Sequence, residues 1–131
     1  MPTLECLDHL VLTVRNLDHT VRFYRDVLGM GVDQFVVADG SARTALTFGT
    51  QKINLHLAGS EFLPHAAAPG PGTADLCFVS AEPLENWQAH FAGVGIEVED
   101  GPVPRTGATG PILSLYLRDP DGNLIEVSQR A

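Results

Sequence analysis

A chain of 131 residues holds one domain's worth of core and is too short for a catalytic domain plus a separate binding domain. Its 44% hydrophobic and 18% charged residues are those of a folding protein, and a net charge of −8 with scattered Lys and Arg argues against a nucleic-acid or anionic-membrane partner. No run nears the roughly 20 apolar residues of a bilayer span, and the N-terminus lacks a signal-peptide pattern, so a cytoplasmic location is expected. Two cysteines, Cys6 and Cys77, give no disulfide framework and no thiolate cluster, and any metal must use imidazole and carboxylate.

Leu7 to Val14 alternates, with Leu10, Leu12 and Val14 on one face and His9, Val11 and Thr13 on the other, which predicts a half-buried strand. Asn16 and Asp18 offer caps, Leu17, Val21, Tyr24 and Leu28 follow at helical spacing, and Gly29 supplies the stop. Strand-like runs come next at Val32 to Ala38, Thr44 to Phe48 and Ile53 to Ala58, broken by Asp39-Gly40 and the Gly49 to Lys52 turn. A Pro, Ala and Gly-rich linker, about 59–73, separates this first unit (about 4–58) from a second (about 74–130), the whole forming a single domain. There the order begins again: a strand at Ala74 to Ser80, a helix opened by Pro83 with Leu84, Trp87, Phe91 and Val94 on one face, and strands at Ile96 to Val98, Leu113 to Leu117 and Leu124 to Ser128. Asp119-Pro120-Asp121-Gly122 ties the final hairpin. The fold class is therefore α+β, two tandem βαβββ units forming curved mixed sheets.

Spacing supports the repeat. Val94-Gly95 follows Leu28-Gly29 by 66 positions, as Asp75 follows His9, while Glu126 follows His56 by 70. Alternation turns Asn54 and His56 away from Ile53, Leu55 and Leu57, and Glu126 away from Ile125 and Val127. Each unit thus carries a candidate ligand on its first and last strand: His9, His56, Asp75 and Glu126. Two imidazoles and up to two carboxylates suit Zn, Ni, Co, Mn or Fe(II). Asp75, with its shorter side chain, is either a ligand or a group that orients a histidine, and as a purely structural residue it caps the linker.

Asp8-His9-Leu10-Val11-Leu12-Thr13-Val14, Phe23-Tyr24-Arg25-Asp26-Val27-Leu28-Gly29-Met30 and Tyr116 through Glu126 resemble the vicinal oxygen chelate superfamily of glyoxalase I, extradiol dioxygenases, fosfomycin-resistance transferases and bleomycin-binding proteins. Phe48 to His56 and Arg105 to Pro111 look like the subgroup of glyoxalase-domain-containing protein 5 and lactoylglutathione-lyase-like virulence proteins. The resemblance implies four ligands on the first and last strand of each unit. Against the glyoxalase I pattern two identities differ, His56 standing where a carboxylate is common and Asp75 where a histidine is.

The leading expectation is a metal-dependent, glyoxalase-like lyase or isomerase acting on a substrate chelated through vicinal oxygens, with Glu126 as general base. Glutathione as co-substrate is implied by the resemblance alone. Two rival readings are an extradiol-type ring-cleaving dioxygenase with Fe(II) and a metal-free protein that binds a small molecule such as an antibiotic. Arg105 is placed to meet an anionic substrate from a loop over residues 105–110, and Tyr116, in phase with Glu126, to hydrogen-bond substrate; solvated connector and packing residue are the plain alternatives. Cys77 is expected as a buried inert thiol, and His19, His65 and His90 as surface residues. Exposed sheet edges predict a homodimer.

Overall fold

The alternating and amphipathic segments fold as two repeated sets of elements. The computed structural model describes residues 1–131, which divide into two compact units, Met1–Pro71 and Gly72–Ala131. In the first, β1 (His9–Val14) leads into α1 (Leu17–Asp26), then β2 (Gly31–Val36), β3 (Ala42–Phe48) and β4 (Gln51–Leu57). The Asn16 side chain accepts the His19 backbone N–H at 3.0 Å, satisfying one of the free donors of the first turn. Gly29, at φ +72°, turns the chain out of the helix as only glycine does without strain. The strands lie in the order β1-β4-β3-β2, with β1 and β4 parallel and the other pairs antiparallel.

One face of this sheet carries Leu12, Val14, Leu46, Ile53 and Leu55, all buried, and α1, which packs against β2 and β3, contributes Phe23 and Tyr24. Tyr24 is fully buried and meets Phe23 edge-on at 5.2 Å between ring centroids. Truncating a buried ring of this size costs about 3–5 kcal/mol, so Tyr24→Ala is a change this unit would not survive easily.

The second unit repeats the order with β5 (Asp75–Val79), α2 (Leu84–Gly93), β6 (Asp100–Gly107), β7 (Gly110–Arg118) and β8 (Leu124–Arg130), arranged β5-β8-β7-β6 with β5 and β8 parallel. Leu115, Leu117, Ile125 and Val127 fill its core with Leu84 and Phe91 of α2. Pro83 has no side chain with which to cap α2, and Gln129 of β8 does so instead, its Oε1 accepting the Leu84 N–H at 2.7 Å. The Asp119-Pro120-Asp121-Gly122 turn is closed by Asp119, whose Oδ1 accepts the backbone N–H groups of Asp121 and Asn123, each at 2.9 Å. No helix is long and apolar enough to cross a membrane.

The expected strand at Ile96 to Val98 is not one. Those residues are irregular, and the strand runs from Asp100 to Gly107, through Pro102 and Pro104. Two prolines read as loop because each lacks an N–H for the ladder; β6 tolerates them as an edge strand paired on one side only, with a register shift between Asp100 and Val103. The segment from Arg105 to Gly110, expected as a free loop, is consequently the end of β6 and the turn of the β6–β7 hairpin.

Candidate functional site

Strand pairing decides which side chains stand level. In the first unit, His9 pairs with Lys52, Val11 with Asn54 and Thr13 with His56, so His9, Asn54 and His56 share the face opposite the α1 core. His9 stands at one end of that face and His56 four residues further along, about 13 Å away at about 3.3 Å per residue. Asn54 is the diagonal neighbour of His9. The Asp8 carboxylate holds His9 through Nδ1 at 2.8 Å, leaving Nε2 outward in an exposed position. His56 is buried, 8% exposed, edge-on to Phe62 at 5.3 Å, and Phe62 in turn carries the Arg43 guanidinium over its ring at 3.3 Å. Burial first, then the positive charges of Arg43 and His65, hold the His56 imidazole below its ordinary range. His56 Nδ1 and Asn54 Oδ1 are both buried without a hydrogen-bond partner.

In the second unit Asp75 pairs with Leu124 and Cys77 with Glu126, and across the sheet Tyr116 pairs with Glu126 and Ser114 with Ser128. Tyr116 thus shares a face with Glu126, as its phase requires. The same count shows that the earlier equivalence of His56 with Glu126 does not hold. Glu126 stands opposite Cys77 as Asn54 stands opposite Val11, whereas His56, opposite Thr13, matches Ser128, opposite Val79. The position repeating Glu126 in the first unit is Asn54.

Glu126 is oriented by its neighbours. Ser114, fully buried, donates to Glu126 Oε2 at 2.6 Å; Ser114 and Ser128 hydroxyls lie 2.7 Å apart, and Ser128 Oγ is 3.3 Å from Cys77 Sγ. Cys77 is exposed rather than buried, because it lies on the face of β5 that borders an open cleft. Partial burial of its sulfur, with Glu126 nearby, still pushes the thiol up, which keeps it a poor nucleophile. On the hairpin side, Arg105 Nε donates to the Tyr116 hydroxyl at 2.9 Å and Nη1 to the Pro104 carbonyl at 2.9 Å. Cys77, Glu126, Arg105, Ile112, Arg130 and the turn over 106–109 line an open cleft of about 420 Å³.

A divalent metal needs three or more convergent donors, and no group of three His, Cys, Asp or Glu side chains gathers closely enough to hold one. The first unit offers His9 beside an amide rather than a carboxylate, with His56 displaced along the strand. The second offers Asp75 and Glu126 on one face, with Glu126 Oε2 engaged by Ser114. Neither unit's donors fit a metal ion by themselves. Four residues enter the site without having been singled out from sequence: Asn54, Ser114, Ser128 and Arg130. Ser114 is in phase with Tyr116, Ser128 and Arg130 with Glu126, and Asn54 with His56, so period-two counting reaches the face of all four; only the pairing of β4 with β1 makes Asn54 the counterpart of Glu126.

The family model described as Glyoxalase/Bleomycin resistance protein/Dioxygenase superfamily matches residues 6–127. The chain is 51% identical over 126 residues to Virulence protein STM3117 of Salmonella typhimurium, covering 96% of this chain and 85% of that protein, and superposes on its crystal structure with a TM-score of 0.91. It is 54% identical over 126 residues to Glyoxalase domain-containing protein RDO1 of Mycosarcoma maydis, covering 96% of this chain and 69% of that one. A protein from the mobile metagenome of V. Pseudocholerae, 49% identical, superposes over 100% of this chain and 98% of its own with a TM-score of 0.94.

Proposed function

Since the chain belongs to the Glyoxalase/Bleomycin resistance protein/Dioxygenase superfamily, we propose that it is a glyoxalase-like lyase or isomerase of a small substrate, with Glu126 as the general base. The observation that carries the reading is a carboxylate fixed at one oxygen by Ser114 and opening on a cleft beside Tyr116 and Arg105. A base held in one orientation loses little entropy in reaching the proton it removes. Glu126 takes a proton from the hydroxyl-bearing carbon next to a substrate carbonyl; the C–H electron pair forms a C=C bond and the carbonyl π pair moves onto its oxygen as an enediolate. The hydroxyl proton then passes to that oxygen, and Glu126 returns its proton to the former carbonyl carbon as the second C=O forms, an isomerisation with no change in composition. Tyr116 accepts from Arg105, so its own hydroxyl proton is free to be donated to that developing oxyanion, with the guanidinium charge behind it.

The metal dependence expected from sequence would draw on His9, His56, Asp75 and Glu126; neither unit's donors fit an ion by themselves, and no step above passes through one. A cytoplasmic homodimer belongs to the same reading. Its support is that each four-stranded sheet leaves two edge strands and that both cysteines are free and exposed, as a reducing compartment allows. The test is turnover of hemithioacetals and other α-hydroxycarbonyl compounds by the protein as purified and after addition of Zn, Ni, Co, Mn or Fe(II). Glu126→Gln is expected to lower kcat/KM by about a hundredfold or more. Full activity in that variant removes Glu126 as base; oxygen uptake with catechols, or ligand binding with no turnover under any condition, overturns the lyase reading.

A further inference from the structure

The cleft of the second unit is bordered by one carboxylate, Glu126, and two guanidinium groups, Arg105 and Arg130. Arg105 of β6 pairs with Ile112 of β7, and Ile112 pairs with Arg130 of β8, so two arginines flank one buried isoleucine in a single row across the sheet. Their backbones are about 10 Å apart at about 4.8 Å per strand, and the Arg105 side chain reaches along the face to Tyr116. Glu126 lies four residues back along β8, about 13 Å of strand away. The Arg130 backbone is therefore separated from Glu126 along the sheet face, whereas the Arg105 guanidinium lies against Tyr116, the cross-strand partner of Glu126.

The two cations are not spent elsewhere. Arg105 uses Nε on Tyr116 and Nη1 on Pro104, and its approach to Asp100 is a 3.9 Å contact between half-exposed side chains, too long and too wet to neutralise it. Arg130 is exposed and held by no ion pair. In a chain of net charge −8 with eight Lys and Arg, two of those cations border one cleft. The 106–109 turn lines the same cleft, and Ile112 gives it an apolar floor that strengthens a charge-assisted contact above it.

We propose that this cleft seats an oxyanion of the substrate, a carboxylate or a phosphate, against Arg105 and Arg130, and so holds an anionic small molecule with its reacting carbon toward Glu126. Guanidinium forks match the planar or tetrahedral oxygens of such a group, and repulsion from Glu126 disfavours the reversed pose. The direction of the substrate rests on the proposed role of Glu126; binding of the anion does not.

The experiment titrates the 131-residue protein calorimetrically with glutarate and, separately, with inorganic phosphate at constant ionic strength, the two arms distinguishing a carboxylate from a phosphate source. Saturable binding of at least one is expected. It should weaken about tenfold or more in R105Q/R130Q, less in either single variant, and least in R130K, which keeps the charge. E126Q should bind as tightly as wild type or tighter. No saturation with either anion, or undiminished affinity in a double variant with the wild-type circular dichroism spectrum, overturns the seat. Anion binding that survives while E126Q turns over normally supports the seat and removes only the base.

Discussion

Replacing Asn123 with alanine removes the clasp that joins the β7–β8 turn to the start of β5. Asn123 is 2% exposed; its Nδ2 donates to Asp119 Oδ2 at 2.8 Å and its Oδ1 accepts the Ala74 N–H at 2.9 Å. The first bond goes to a buried carboxylate and is worth about 1.5–3 kcal/mol, and the second, neutral and half-buried, about 1 kcal/mol. Alanine fills neither role, so the expected loss is about 2.5–4 kcal/mol, a drop in Tm on the order of 10 °C for a chain of this size. Urea unfolding followed by circular dichroism measures it, and Asn123→Asp is the informative partner. Aspartate keeps an acceptor for Ala74 but sets a second carboxylate against Asp119, so it should be at least as damaging. Because Ala74 precedes Asp75 and Asn123 precedes Leu124, loosening the clasp should also lower turnover by disturbing the start of the β5–β8 pairing beneath Glu126. A loss below about 1 kcal/mol for Asn123→Ala would refute the reasoning, since it would mean that the two bonds are replaced by solvent at no cost.

His56 makes stability depend on pH. Its folded-state proton affinity is held below the ordinary value by burial and by Arg43 and His65, so the folded protein binds that proton less readily than the unfolded chain. The contribution is fully present above the unfolded-state value of about 6.5 and is lost as pH falls below it. The slope of Tm against pH between about 8 and 5 should be shallower in His56→Gln, and an unchanged slope would exclude His56 as its source. Asn54→Glu places a carboxylate diagonal to His9 where the register repeats Glu126; Zn or Ni affinity by calorimetry should tighten about tenfold, and unchanged affinity would show that the position is not metal-facing. Gly107→Ala brings a methyl group to 2.8 Å from the Gly110 carbonyl oxygen and 2.9 Å from Ile112 Cγ2, so the hairpin should lose about 1–3 kcal/mol and anion binding should weaken with it. Wild-type behaviour in both denaturation and titration would place that hairpin outside the cleft's function.

The βαβββ order, the Asn16 cap, the Gly29 stop and the turn at Asp119 were legible from residues alone, as was the outward face of Asn54, His56, Tyr116 and Glu126. β6 was not, because Pro102 and Pro104 carry the local marks of a loop and are acceptable only at an edge, and edge position is a property of the whole sheet. Cys77 read as buried because alternation assigns a face, while exposure depends on whether that face opens on a cleft.

By itself the sequence determined faces, since side-chain alternation along a strand is a local, two-residue property. Only tertiary structure decided rows. Which residue on one strand stands level with which on the next depends on loop lengths and on backbone hydrogen bonds between segments more than 40 residues apart, such as Val11 with Asn54 and Cys77 with Glu126. A shift of two residues leaves every side chain on its face and the hydrophobic pattern intact, so nothing local distinguishes His56 from Asn54 as the counterpart of Glu126; the ladder of backbone bonds does.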